Sequence, residues 1–212
     1  MKPIYIYGAG GLGREIQSLL RFLPEWKLEG YYDDGKRKGE SVGVSKILGG
    51  EKDLGVAENS GSIFLIIGIG SPDVKARIVS TITSNRISFP QLIHPNAVIQ
   101  DPGSVKLGDG VVITAGVILT TGISTGRHVL LNLNCTVGHD VTIGDYSSIM
   151  PGANISGNVQ IGKKVLIGAG SNILNGVSIG DDAIVGAGSV VVNDVKSGET
   201  VVGVPAKPIK RS

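Results

Sequence analysis

From Leu107 to Val191 the chain holds one six-residue register without a slip. Every sixth position reads Leu107, Ile113, Leu119, Thr125, Leu131, Val137, Ile143, Ile149, Ile155, Ile161, Ile167, Ile173, Ile179, Val185 and Val191, with Thr125 the only polar member. Two residues before each stands a second small or aliphatic residue, as in Val165-x-Ile167 and Val177-x-Ile179. Such spacing is strand alternation, in which successive side chains point to opposite faces. Four residues then intervene, often with glycine among them, as in Ile167-Gly168-Ala169-Gly170. Each hexad is one short strand and one turn, which is the signature of a parallel β-helix.

Composition supports that reading. Gly is 33 of 212 residues and aromatics are only 4%, so the core is not built on large rings. Abundant glycine can mark disorder, but here it recurs among evenly spaced Ile and Val and belongs to turns. A net charge of +2, without a basic run beyond Lys210-Arg211, argues against a nucleic-acid surface. The apolar run after Met1-Lys2-Pro3 is only four residues, too short for a signal segment or a membrane span. A cytoplasmic location, with no nucleic-acid or membrane partner, is the expectation. One cysteine excludes an intramolecular disulfide.

The first ninety residues follow a different pattern. Ile4 to Tyr7 reads as a buried strand entering Gly8-Ala9-Gly10-Gly11-Leu12-Gly13, and a helix follows with Ile16, Leu19, Leu20 and Leu23 on one face. Leu28 to Tyr32 predicts a second strand ending at Asp33-Asp34, and Ile63 to Ile67 a third, followed by Gly68 and Gly70. Ser71-Pro72 predicts a helix start. Strands alternating with helices imply a small Rossmann-like parallel sheet. Phe89 to Ile93 is expected as its last strand. The expected organisation is an α/β Rossmann-like domain over 1–93, then an all-β parallel β-helix over 94–212 with a short tail.

Three hexads per coil place residues eighteen apart above one another. One edge column then reads Thr121, His139, Gly157, Asn175, Asn193; a second Pro151, Ala169, Ala187; a third Arg127, Asp145, Lys163, Asp181. His139 and Asp140 form the best catalytic pair, since a carboxylate can orient an imidazole and favour its protonated form. A surface histidine on a turn is the competing reading. Gly157, one coil on, leaves a slot beside the imidazole for a ligand, and the small second column suits a narrow groove. His94 and His128 read as structural, and Cys135 as an inward packing residue. No Cys/His spacing suggests a metal. Gly8-x-Gly10-x-x-Gly13 with Asp33 twenty positions on matches a dinucleotide fingerprint in its proper context. Its physical content is a phosphate-sized approach to a helix N-terminus, which does not single out NAD.

Over nearly its whole length the chain resembles the NeuD/PglD-type sugar acetyltransferases of bacterial surface-glycan pathways. The resemblance rests on Tyr5 to Gly13, Tyr32-Asp33-Asp34, Ile69-Gly70, Leu92-Ile93-His94-Pro95, Asn132 through Asp140, the hexads and the closing Val202-Gly203-Val204-Pro205-Ala206-Lys207. It implies a left-handed β-helix, although the general crossover rule would favour the right hand. It also implies a homotrimer, with acetyl-CoA as co-substrate between neighbouring β-helices and a nucleotide sugar held by the first domain. His139 would be the base and Asp140 the acidic residue that raises its basicity. Gly157, Ala169, Ala187 and Ser148 fall at acetyl-CoA positions. Gly10, Gly11, Leu12, Asp33, Asp34 and Gly70 fall at nucleotide-sugar positions, and Asn132 near the acceptor. Leu12 stands where bacillosamine-pathway members have histidine, and Ser148 where many members have a second one.

The activity this implies is N-acetylation of the 4-amino group of a nucleotide-linked amino-deoxy sugar. Acetylation of a sugar hydroxyl, as on a sialic acid, uses the same base and stays open. An NAD-dependent oxidoreductase leaves the β-helix unexplained, and a non-catalytic scaffold leaves His139-Asp140 beside Gly157 unexplained.

Overall fold

The computed structural model describes residues 1–57 and 63–209, which divide into two compact units. The first comprises the described residues of 1–70 and 77–90, and the second those of 71–76 and 91–209.

In the first unit β1 (Lys2–Tyr7), α1 (Gly11–Leu20), β2 (Trp26–Tyr32), β3 (Ser41–Val42), β4 (Ser45–Gly49), α2 (Glu51–Ala57), β5 (Ile63–Ile67), the second half of α3 (Pro72–Thr81, whose residues 72–76 belong to the second unit) and β6 (Ile87–Ser88) follow in order. The sheet runs β3-β4-β2-β1-β5-β6. All neighbours are parallel except the β3–β4 hairpin. Ile4, Ile6, Leu65 and Ile66 are fully buried, as expected of central parallel strands that are covered on both faces. β1 lies between β2 and β5, so the chain order reverses there, and the carboxyl ends of these strands flank the crevice where α/β sheets bind ligands.

The β-helix closes with the expected repeat. Thr136 pairs with Asn154 and Asn154 with Asn172; Leu130 pairs with Ser148 and Ser148 with Leu166; Thr142 pairs with Gln160. Each step is eighteen residues. The ends depart from it: Val98 pairs with Ile118 twenty residues on, and Ile184 with Thr200 only sixteen on. Every member of the sixfold series from Ile113 to Val191 is buried, and Leu107 is packed against that core. Thr125 is 9% exposed, and its hydroxyl accepts the Gly108 N–H at 3.3 Å. One turn position per hexad needs a left-handed backbone. From residue 110 to 188 it is filled by Gly110, Gly116, Gly122, His128, Asn134, Asp140, Tyr146, Gly152, Asn158, Lys164, Gly170, Gly176, Asp182 and Gly188, all at positive φ. Glycine supplies half of these, seven of the 33 in the chain.

Two expectations need correction. No strand spans Phe89–Ile93 as expected: the α/β sheet closes earlier, with β6 at Ile87–Ser88, while Leu92–Ile93 pairs with Val112–Ile113 and starts the β-helix. Its main chain is held there by Leu92 N–H on Val111 O and His94 N–H on Ile113 O, both 2.9 Å. The seam therefore lies after Pro90, not after Ile93, and residues 71–76 also pack with the β-helix. The β3–β4 hairpin and α2 were not foreseen.

Candidate active site

The three edge columns exist. In each, the left-handed turn residue donates its N–H to the column residue one coil below: Asp140 to Thr121 O at 3.0 Å, Asn158 to His139 O at 2.8 Å, Gly170 to Pro151 O at 2.9 Å, and Tyr146 to Arg127 O at 2.8 Å. At φ +57 the Asp140 backbone turns its carboxylate back along the edge, and Oδ2 lies 2.9 Å from His139 Nδ1. Both side chains are open to solvent, at 53% and 64% exposure. A Cβ on Gly122 would stand 2.5 Å from Asp140 Oδ1, so glycine makes room for the carboxylate.

Gly157 plays a different part from the one the column suggested. A Cβ there would lie 2.4 Å from His139 Nε2 and 2.7 Å from Cε1. The space is filled by the imidazole itself and is not an empty slot. Two consequences follow. The bond to Asp140 favours a proton on Nδ1 and leaves Nε2 as the acceptor. That nitrogen lies along the Gly157 backbone, whose N–H has no acceptor among the described residues. By contrast, on the Arg127 edge aspartates of the next coil take the equivalent donors: Arg127 N–H on Asp145 at 2.8 Å and Lys163 N–H on Asp181 at 2.7 Å.

Ala169 and Ala187 are exposed on the second edge beside half-buried Pro151, and nothing of the chain lies within 4 Å of a Cβ placed on Gly170 or Gly188. That edge is smooth and open. Ser148 does not belong to it. The residue is 0% exposed, and its hydroxyl accepts a bond from Lys75 Nζ at 3.1 Å. Lys75 is itself 2% exposed. A serine and an amine at this separation resemble a nucleophile–base pair, but both are sealed from any substrate. Asn132 is 5% exposed and its side-chain carbonyl accepts the Leu133 N–H at 2.8 Å. Cys135 is fully buried, its Sγ directed at Met150 O, and burial pushes its thiol up to about 11. His128 stacks on Tyr146 at 5.5 Å, and burial, followed by the Lys75 charge, holds its ring down to about 4. His94 is 7% exposed and accepts the Asn96 N–H.

In the first unit the glycine motif divides by function. Gly8 is at φ +102 and packed on Ile69, a Cβ on Gly13 would meet Gly8 O at 2.0 Å, and one on Gly68 would meet the Gly13 Cα at 2.9 Å. These three hold α1 close to the sheet. Gly10, Gly11 and Gly70 have nothing within 4 Å of a Cβ. They flank the carboxyl ends of β1 and β5, so no atom of this chain explains glycine there. Leu12, half-exposed, sits in the first turn of α1. Asp33 accepts Ala9 N–H at 2.7 Å and Gly35 N–H at 2.9 Å. Asp34 accepts the Tyr7 hydroxyl and, at 2.9 Å, the Glu51 N–H. Both carboxylates thus brace the loops around an open cavity of about 310 Å³, which Lys36, Gly50, Glu51, Lys52 and Asp53 also line.

Among the described residues no cluster of three or more His, Cys, Asp or Glu is arranged to hold a metal ion, and no helix is long and apolar enough to cross a membrane. A family model described as the PglD N-terminal domain matches residues 3–82. Two hexapeptide models, of bacterial transferases and of succinyl-transferases, match 158–193 and 95–121. A GDP-perosamine N-acetyltransferase of Escherichia coli O157:H7 is 32% identical over 161 residues, covering 72% of this chain and 69% of that protein. The chain belongs to the PglD-type acetyltransferase family.

Solved members of the family agree in fold. Perosamine N-acetyltransferase of Caulobacter crescentus, a histidine-to-asparagine variant in complex with CoA and GDP-perosamine, superposes with a TM-score of 0.93 at 28% identity, over 100% of this chain and 98% of that one. WeeI of Acinetobacter baumannii AYE gives 0.89 at 31% identity, over 98% and 100%. The acetyltransferase domain of PglB from Neisseria gonorrhoeae FA1090, in complex with acetyl coenzyme A, gives 0.86 at 29%, over 98% of each chain. As a member of this family the chain is an acetyltransferase.

Proposed function

We propose that this enzyme transfers acetyl from acetyl-CoA to the 4-amino group of a nucleotide-linked amino-deoxy sugar, with a GDP-linked sugar as the first candidate. It would serve bacterial surface-glycan synthesis in the cytoplasm. The observation that carries the reading is the His139 edge: an imidazole oriented through Nδ1 by Asp140, with Nε2 beside an uncommitted backbone N–H at Gly157.

A neutral amine attacks the thioester carbonyl, forming the C–N bond as its proton passes to His139 Nε2. The carbonyl oxygen becomes an oxyanion, which the Gly157 N–H is placed to stabilise. Collapse breaks the C–S bond, and the imidazolium returns the proton to the leaving CoA sulfur. No covalent enzyme intermediate is needed. The Pro151, Ala169 and Ala187 edge would hold acetyl-CoA. Its small side chains offer one wall only, so a neighbouring protomer would supply the other in a closed cyclic trimer.

Gly10, Gly11 and Gly70 would let the acceptor's diphosphate approach the backbone, with the start of α1 favouring its charge. Asp33 and Asp34, lining the adjoining cavity, suit the hydroxyls and N–H donors of a nucleoside. Leu12, half-exposed in the first turn of α1, would border the sugar. Support for a GDP-linked acceptor comes from the E. coli relative and the C. crescentus complex named above. Calorimetry tests the acceptor: the reading requires binding of a GDP- or UDP-linked amino sugar and none of NAD(H). Tight NAD(H) binding without affinity for either nucleotide sugar would refute it.

A further inference from the structure

Before it ends at Thr200, one outward column of the β-helix reads Leu92, Val112, Leu130, Ser148, Leu166, Ile184. A single hydroxyl interrupts five apolar residues, and Lys75 covers it. Lys75 Nζ donates to Ser148 Oγ at 3.1 Å and to Ser147 O at 3.4 Å. A lysine this deeply buried ordinarily has a carboxylate partner, and here two neutral oxygens take that place. On the same helix Asp73 is directed at Lys164, 3.6 Å away. The titratable group facing Lys75 from the coil is His128, which carries no charge near neutrality. Burial holds Lys75 itself down to about 7. Ser71 to Ala76 pack with the β-helix and follow directly on Gly70 in the chain.

We propose that Lys75 and Ser148 are a matched anchoring pair that fixes the start of α3 on the β-helix and so restrains Gly70 for binding of the acceptor. Lys75 is thereby a positioning residue, and its role rests on the reading of Gly70 as an acceptor contact. The pairing is specific: between Leu92 and Ile184 the one polar side chain meets the amine, and neither group has another side-chain partner among the described residues. Removing the hydroxyl alone leaves a buried amine with one acceptor, which is costly, whereas removing both groups restores a continuous apolar contact.

The test is a rescue. Ser148→Ala should speed amide exchange over residues 72–76 and raise KM for the nucleotide-linked amino sugar roughly tenfold, leaving KM for acetyl-CoA within about twofold. Adding Lys75→Met to Ser148→Ala should bring both quantities back. An unchanged Ser148→Ala enzyme, an equal rise in both KM values, or a double variant no better than the single overturns the proposal. Faster exchange with an unchanged acceptor KM leaves only an anchor and overturns the positioning role. A wild-type enzyme that binds no nucleotide-linked amino sugar refutes the acceptor reading, and the Gly70 half of the proposal with it, while the exchange comparison decides the anchor by itself.

Discussion

Gly157 and Gly70 are glycines for opposite reasons. In the β-helix, Gly157 lies against the His139 ring, and a single methyl group there would overlap Nε2. In the α/β unit, Gly70, like Gly10 and Gly11, faces open space. The first site is built by the chain upon itself, with Asp140, His139 and Gly157 fixing one another. The second is a vacancy that the fold leaves at the carboxyl ends of its strands. A substitution should therefore damage the two in different currencies: turnover at the β-helix edge, acceptor affinity at the sheet.

The largest effect is expected at the base. His139→Ala should lower acetyl transfer by about a hundred- to ten-thousand-fold, the range of general-base loss, with acetyl-CoA binding by calorimetry nearly unchanged. Asp140→Asn should cost less, because it leaves the base in place. Gly157→Ala should lower kcat by about a hundredfold through displacement of the imidazole, as a shift near 1 Å can do. A Gly157→Ala enzyme with wild-type turnover would mean that the ring has another productive position and would blur the contrast.

Gly70→Val sharpens the other side. KM for the nucleotide-linked amino sugar should rise about tenfold, while the melting temperature stays close to wild type, since exposed substitutions that meet nothing are nearly neutral. A loss of stability without a change in KM would show that glycine serves the fold there too.

The smallest effect concerns pH. Lys75 keeps its proton to its usual 10.5 when unfolded but only to about 7 when folded. Between those values the unfolded chain binds the extra proton, so the wild-type enzyme gains stability as pH rises from about 7 toward 10.5. The Lys75→Met/Ser148→Ala variant lacks that gain. Urea midpoints at pH 7 and pH 9 should show the variant's advantage over wild type shrinking at the higher pH. A pH-independent difference would contradict the burial of a titrating amine.

Why some of this was legible in the sequence follows from where each signal lies. Fourteen repeats of one pattern reinforce each other, so the coil register and its three edge columns could be read directly. His139 and Asp140 are adjacent, and their contact is local. The Gly157 column was legible, but whether its space is empty or filled depends on which way an imidazole turns. Leu92–Ile93 is a two-residue strand whose composition suits either sheet, so only pairing with Val112–Ile113 decides the seam. The β3–β4 hairpin is as short, turning at Gly43 with φ +57. Lys75 and Ser148 are 73 residues apart, and a lysine at the start of a helix gives no sign of being buried. The resemblance thus put Ser148 at an acetyl-CoA position, whereas the residue is buried beneath the start of α3. Asp33 and Asp34 were legible as the end of β2, but not their bonds to Ala9, Gly35, Tyr7 and Glu51.

The central claim is that an acetyl group moves to a sugar amine at the His139 edge. NMR of the product formed from acetyl-CoA and a GDP-linked 4-amino-4,6-dideoxy sugar tests it most directly, with wild-type enzyme and His139→Ala side by side. The expected result is an acetamido group at the amine, formed by wild type and reduced at least about a hundredfold in the variant. Acetyl found on a hydroxyl, or equal product from both enzymes, would contradict it.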